Sequence, residues 1–233
     1  STIYASYFSQ MDAYSEGYAG IGVWRAAFKP FVDRIADNDI RLQWFCCDRS
    51  TGMDTEDKDG KPIRVTLLRD TETPASVEYQ AVKFIGTGRE NIQAGTFSGW
   101  ELGDYIYMRS EEAYLIKIEA LAHKNSPDAV TELENFMKTR QPDYDYTFTN
   151  KADLIEEIIY QKRVEFWGEG LEYIDNRRLN IPVDRTDETW GAENNNHFSA
   201  AKFRYNQEER PFLYQLPISE IENNSQISPS DQN

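Results

Sequence analysis

Basic residues are scarce in this chain. Across 233 residues, Lys plus Arg number 25 against 40 Asp plus Glu, a formal charge of −15. That balance argues against reading a phosphate backbone, which needs a basic footprint. It argues equally against docking on anionic lipid headgroups. An uncharged ligand is compatible with it, and the acid also has a plain use in keeping a protein soluble. Cysteine is scarcer still, with only the adjacent pair Cys46 and Cys47. Neighbouring cysteines rarely bridge one another, because the small ring strains the bond. No CxxC occurs, and His123 and His197 lie far off in sequence, so neither a zinc site nor a thiol nucleophile is expected. The thiols read as packing residues, and they do not fix a compartment. No cofactor is expected. The acidic run DTEDKDG lacks the spacing and the closing Glu of a calcium loop, so it reads as surface acid. No apolar run reaches the roughly 18 residues of a membrane span. The chain opens at Ser1 without Met, signal segment or lipid-attachment motif, and is read as a processed form or a C-terminal piece of a longer protein.

Aromatic residues, by contrast, are plentiful: 5 Trp, 14 Tyr and 12 Phe. Disordered chains are poor in them, so this one is expected to fold. A mean hydropathy of −0.70 implies much surface loop around a core that a chain of this length can bury.

Residues 1–23 alternate Tyr4, Tyr7, Phe8, Tyr14 and Tyr18 with small polar residues and read as an aromatic loop. Residues 24–35 suggest a short helix broken at Pro30. Ile40, Leu42, Trp44 and Cys46 alternate with polar partners, which predicts a short strand. Residues 48–62 read as a mobile, charged excursion, with further short strands at 65–68 and 77–85.

From Tyr107 the period changes to that of helices. Ala113, Ile116, Ala120 and Leu121 share one face of a first helix, small enough at Ala113 and Ala120 for a neighbour to come close. Ser126-Pro127 marks the start of a second helix, with Val130, Leu133, Phe136 and Met137 as its stripe. Asn150 caps a third, with Asp153 in the capping-box position. Leu154, Ile155, Ile158, Ile159, Val164 and Phe166 form its apolar side, and Gly168 and Gly170 end it. After Arg178 regular structure fades, and Pro211, Pro217 and Pro229 favour an extended tail. The expected fold class is mainly α, with tetratricopeptide-like helix pairs packed against a loop-rich region and a few short strands. The segments run 1–105 (loops, short strands and ligand loops), 106–180 (helices) and 181–233 (an extended segment packing on the helices), one domain overall.

Four stretches carry a family resemblance: NDIRLQWF, SEEAYLIKIEALA, KRVEFWGEGLEYIDNRR and FLYQLPISEIENNSQI. In that order they resemble the Asp-x-Arg-Leu, Tyr-Leu with Lys-x-Glu-Ala, Glu-Gly with Asp-x-x-Arg, and Leu-Pro-Ile segments of the C-terminal part of the SusD/RagB family. Lys162-Arg163 stands where the family often has two arginines, and Trp167 where a smaller residue is common. Family members are about twice this length. The resemblance implies a non-catalytic, surface-exposed outer-membrane lipoprotein of the Bacteroidetes type. It implies a glycan ligand and a SusC-like TonB-dependent transporter as partner, with the membrane reached only through a lipid anchor absent from this chain.

Sugars offer C–H faces for aromatic stacking and hydroxyls for polar side chains. Tyr14, Tyr18, Trp24 and Arg25, with Asp12 and Glu16 beside them, have both kinds and are the candidate ligand-binding residues. The competing reading makes the same aromatics core or loop anchors. Trp44 reads as buried, and Trp100 and Trp190 as weaker loop candidates. Glu165 and Glu169, four apart, suggest either a glycosidase pair or an ion-pair lattice with Arg163, Arg177 and Arg178. The resemblance favours the lattice, with Glu119 as a partner of another arginine. The competing function is a helical-repeat module that binds protein instead of sugar.

Overall fold

The computed structural model describes residues 27–46, 52–56, 62–66, 80–81, 83, 107–209 and 216–231. The chain divides into two compact units, Ser1–Gly168 and Glu169–Asn233. The first carries α1 (Lys29–Val32), a 3-10 turn (Ile40–Trp44), β1 (Phe45–Cys46), β2 (Gly52–Glu56), β3 (Pro62–Thr66) and β4 (Gln80–Ala81). Then come α2 (Ser110–His123), α3 (Asp128–Lys138) and α4 (Lys151–Glu165). The second carries α5 (Leu171–Leu179), β5 (Val183–Asp184), α6 (Asp187–Trp190), β6 (Arg204–Tyr205) and α7 (Ile218–Asn223). Among the described residues the strands form three antiparallel pairs, β1 with β4, β2 with β3 and β5 with β6. The described residues are thus mainly α.

The helix starts follow local chemistry. Ser126 Oγ accepts the Asp128 N–H at 3.3 Å, and Asn150 Oδ1 accepts the Asp153 N–H at 3.0 Å. The return arm of the capping box is displaced by one residue, because Asp153 Oδ2 accepts from the Thr149 N–H at 2.8 Å. Asn125, at φ 57, turns the chain out of α2; Asn tolerates this left-handed conformation better than most residues.

Helix α2 packs against both α3 and α4. The buried apolar residues of these helices are Leu115, Ile118 and Ala122 on α2, Ala129, Leu133, Phe136 and Met137 on α3, and Leu154, Ile158, Ile159 and Val164 on α4. Tyr114 stacks on Phe136, and its hydroxyl donates to Glu132 at 2.5 Å. A second cluster joins Ala27, Val32, Ile35 and Phe45 to Tyr160 and Val164, with Phe31, Leu42, Trp44 and Trp167 at its margin.

Several expectations are corrected. The inner face of α2 is Leu115, Ile118, Glu119 and Ala122, whereas Ala113 and Ala120 are exposed and Ile116 is 48% exposed. Two apolar stripes run along this helix, and the bulkier one removes more area from water when buried. Pro30 does not break α1 but sits in its first turn, where its missing N–H costs nothing. Residues 40–44 form a 3-10 turn because the Asp39 side chain accepts the Arg41 N–H, leaving only Phe45 and Cys46 extended. Within the stretch read as mobile, residues 52–56 pair with 62–66. Helix α5 is a fourth long helix, started by Gly170 at φ 86. The tail is not simply extended: α7 follows directly on Pro217.

In this chain, Ile118→Ala and Leu133→Ala should each lower the unfolding free energy by about 2–5 kcal/mol. Ile116→Ala should stay within about 0.5 kcal/mol of the parent. Urea denaturation checks this, and equal losses at 116 and 118 would contradict the assignment of faces.

Candidate functional site

The polar centre of the first unit is the Glu165 carboxylate, at the C-terminal end of α4 and 2% exposed. Three arginines from three places reach it. Arg140, just beyond α3, donates through Nε at 2.7 Å; Arg109, preceding α2, through Nη1 at 2.9 Å; and Arg41, in the 3-10 turn, through Nη1 at 3.5 Å. Arg109 also donates to the Glu165 main-chain oxygen at 2.8 Å. Arg41 is 1% exposed and spends its remaining donors on Asp39, at 3.0 and 2.7 Å, and on Gln161 Oε1 at 2.5 Å. Gln161 passes the network to Glu157 Oε1 at 2.6 Å, where Tyr144 also donates, while Arg34 donates to Glu157 Oε2 at 2.8 Å. Burial, then the charge of Glu157, pushes the Tyr144 phenol up, so it remains a donor.

Burial alone would raise the Glu165 pKa. The hydrogen bond and charge of Arg140, then Arg109 and Arg41, outweigh it and hold the group at about 2. A glycosidase acid must instead keep its proton near neutral pH and face a cleft. Glu165 is ionised, sealed and occupied, so it is a frame and not an acid catalyst. The expected lattice therefore exists, with different partners. Arg178 pairs with Asp175 at 2.7 Å, and Arg177 donates to the Gln207 main-chain oxygen. Helix α4 ends at Glu165, so Glu169 does not share a helix face with it. Glu119 meets a lysine, Lys162 Nζ at 3.2 Å, with both side chains buried.

The second unit is held by a polar web around β5 and α6. Asp184 accepts from Thr186 Oγ1 and Thr189 Oγ1 at 2.7 Å and from Arg204 at 3.0 Å. Burial works against its ionisation, but the Thr189 and Thr186 hydrogen bonds and the Arg204 charge leave its pKa lowered. Asp187 takes both bonds of Lys202, at 2.7 and 2.9 Å, which lowers its pKa, with Asn195 adding to the effect.

The candidate ligand residues Tyr14, Tyr18, Trp24 and Arg25 lie outside the described residues, as do Asp12, Glu16 and Trp100. Trp44 is half-buried, with Lys83 Nζ 4.8 Å from its ring centre. Trp190 is 38% exposed and ends α6 instead of lying in a loop. Sequence reasoning missed Arg41, Arg109 and Arg140 as partners of Glu165. The signal for Arg41 was present in NDIRLQWF, where Asp39 and Arg41 stand two apart.

Among the described residues of the first unit, the helices close on buried ion pairs. A model of the SusD family matches residues 25–233, and the chain belongs to that family. Among solved structures it is similar to a SusD-like carbohydrate binding protein from Bacteroides vulgatus ATCC 8482, with 21% identity and a TM-score of 0.63. That match covers 97% of this chain and 45% of the other, so the chain spans less than half the length of its structural relative. No curated protein matches it.

A carboxylate whose folded pKa is lowered from 4.5 to about 2 stabilises the fold above about pH 4.5 and loses that contribution as pH falls through about 2. The term is on the order of 3 kcal/mol. Glu165→Gln should cost about 3–5 kcal/mol at neutral pH, since it leaves guanidinium groups uncompensated. It should also flatten the acid limb of the stability profile. Urea unfolding of parent and variant across that range checks both; parallel profiles would refute the role.

Proposed function

We propose that this chain is part of a non-catalytic protein that binds oligosaccharide or polysaccharide at the cell surface and delivers it to a SusC-like TonB-dependent outer-membrane transporter. Membership of the SusD family over residues 25–233 carries the reading. The structural relative, described as a carbohydrate binding protein, supports it. The occupied state of Glu165 supports the absence of catalysis. In this reading the protein sits on the outer membrane through a lipid anchor and has no nucleic-acid partner.

Tyr14, Tyr18 and Trp24 stack on sugar faces in this reading, and Arg25 bonds hydroxyls. A second reading, protein binding through the helices, is favoured by one observation. Ile116 is 48% exposed on α2, and Met108 and Tyr107 just before it are 57% and 92% exposed. Apolar residues gathered at one place on a surface mark contact sites when they form a patch.

Calorimetric titration of this chain, and of a form extended at its N-terminus, against a polysaccharide panel tests the proposal. Trp24→Ala or Tyr18→Ala should weaken binding about tenfold, the loss of one well-placed contact, with melting temperature unchanged. Unchanged affinity in a folded variant would remove that residue from the site. Association with a transporter but with no glycan would favour the second reading.

A further inference from the structure

The second unit holds a solvent-open indole on a frame of engaged polar groups. Trp190 Nε1 donates to the Asp184 main-chain oxygen at 2.9 Å, which fixes the ring while 38% of the residue stays open. The Asp184 side chain is itself tied to Thr186, Thr189 and Arg204. Gly191 follows at φ 77, a left-handed position, and a Cβ there would meet Glu193 Oε1 at 2.7 Å. Asn195, 7% exposed, donates to the Arg185 main-chain oxygen at 3.0 Å and to Asp187 at 2.8 Å, and accepts the His197 N–H at 3.1 Å. Phe198 then stands 74% exposed at the end of the same loop.

Among the described residues of this unit, Ala201, at 8% exposed, is the only buried hydrophobic residue. The web of bonds therefore does not serve to seal an apolar core. What it does is tie the loop between Trp190 and Phe198 back to residues 184–187, with Trp190 38% and Phe198 74% exposed. Fixing a loop before binding removes part of the ordering cost of association. Asn194 and Asn196, both exposed, put uncharged amides in the loop. Rings for C–H faces and amides for hydroxyls are the chemistry of sugar contact. The chain's charge of −15 disfavours an anionic polymer.

We propose that the Trp190–Phe198 loop is a contact platform for a neutral polysaccharide, in addition to the N-terminal aromatic residues. The proposal rests on the glycan-binding reading above. The test uses the full-length protein and a neutral polysaccharide that it binds, with affinity measured by calorimetry and folding by thermal melting. Trp190→Ala should weaken binding at least fivefold, Trp190→Phe should restore most of it, and Phe198→Ala should weaken it severalfold. All three should melt near the parent temperature. Unchanged affinity in Trp190→Ala, with loss in Trp24→Ala, would overturn the platform and leave the glycan reading standing. If Trp190→Ala fails to fold, Phe198→Ala decides, and parental affinity there overturns the proposal. Parental glycan affinity with lost transporter association would also overturn it, by making the loop a protein contact. If the parent binds no polysaccharide, the glycan reading itself fails.

Discussion

The first unit depends on one carboxylate. Glu165 gathers guanidinium groups from the 3-10 turn, from the entry to α2 and from the exit of α3, and so fastens three separate stretches of chain to the end of α4. Burying such charges costs several kcal/mol per ion, about what the pairing returns, so the gain in net stability is small. The gain in uniqueness is larger. A packing that moved α4 would strand Arg41, which is 1% exposed and bonded on every side to Asp39, Gln161 and Glu165. The apolar clusters on the flanks of α4 supply the burial, and the ion network sets where that burial happens.

Three of the four sequence segments that resemble the family carry buried polar or charged groups. Asp39 and Arg41 of NDIRLQWF form the base of the Glu165 network. Glu119 of KIEALA meets Lys162 of KRVEF. Asp175 and Arg178 of DNRR pair with each other. A buried charge tolerates few replacements, whereas apolar neighbours can be exchanged at equal volume. Such a pattern reports the fold more directly than it reports a ligand.

That explains what could be read from the chain. Helices α2, α3 and α4 were visible from their period and caps, and the ion-pair role of Glu165 from its setting. Its partners were not visible, since Arg41 and Arg109 lie 124 and 56 residues away and nothing local links them. The inner face of α2 was misread because apolar residues line two of its faces and spacing cannot rank them. Prolines misled in one direction. Pro30 and Pro217 read as helix breakers, yet each stands at a helix start, where a missing N–H is harmless. The candidate sugar contacts at 14–25 rest on composition, with no periodicity to place them.

The frame therefore accounts for family and fold, while binding without turnover is the central functional claim. The most direct test incubates the full-length protein with each member of a polysaccharide panel and follows two quantities in one sample: bound polymer and newly formed reducing ends. The account predicts saturable binding to one class of glycan with no rise in reducing ends over time. Reducing ends that accumulate in proportion to protein, or no binding to any member of the panel, would contradict it.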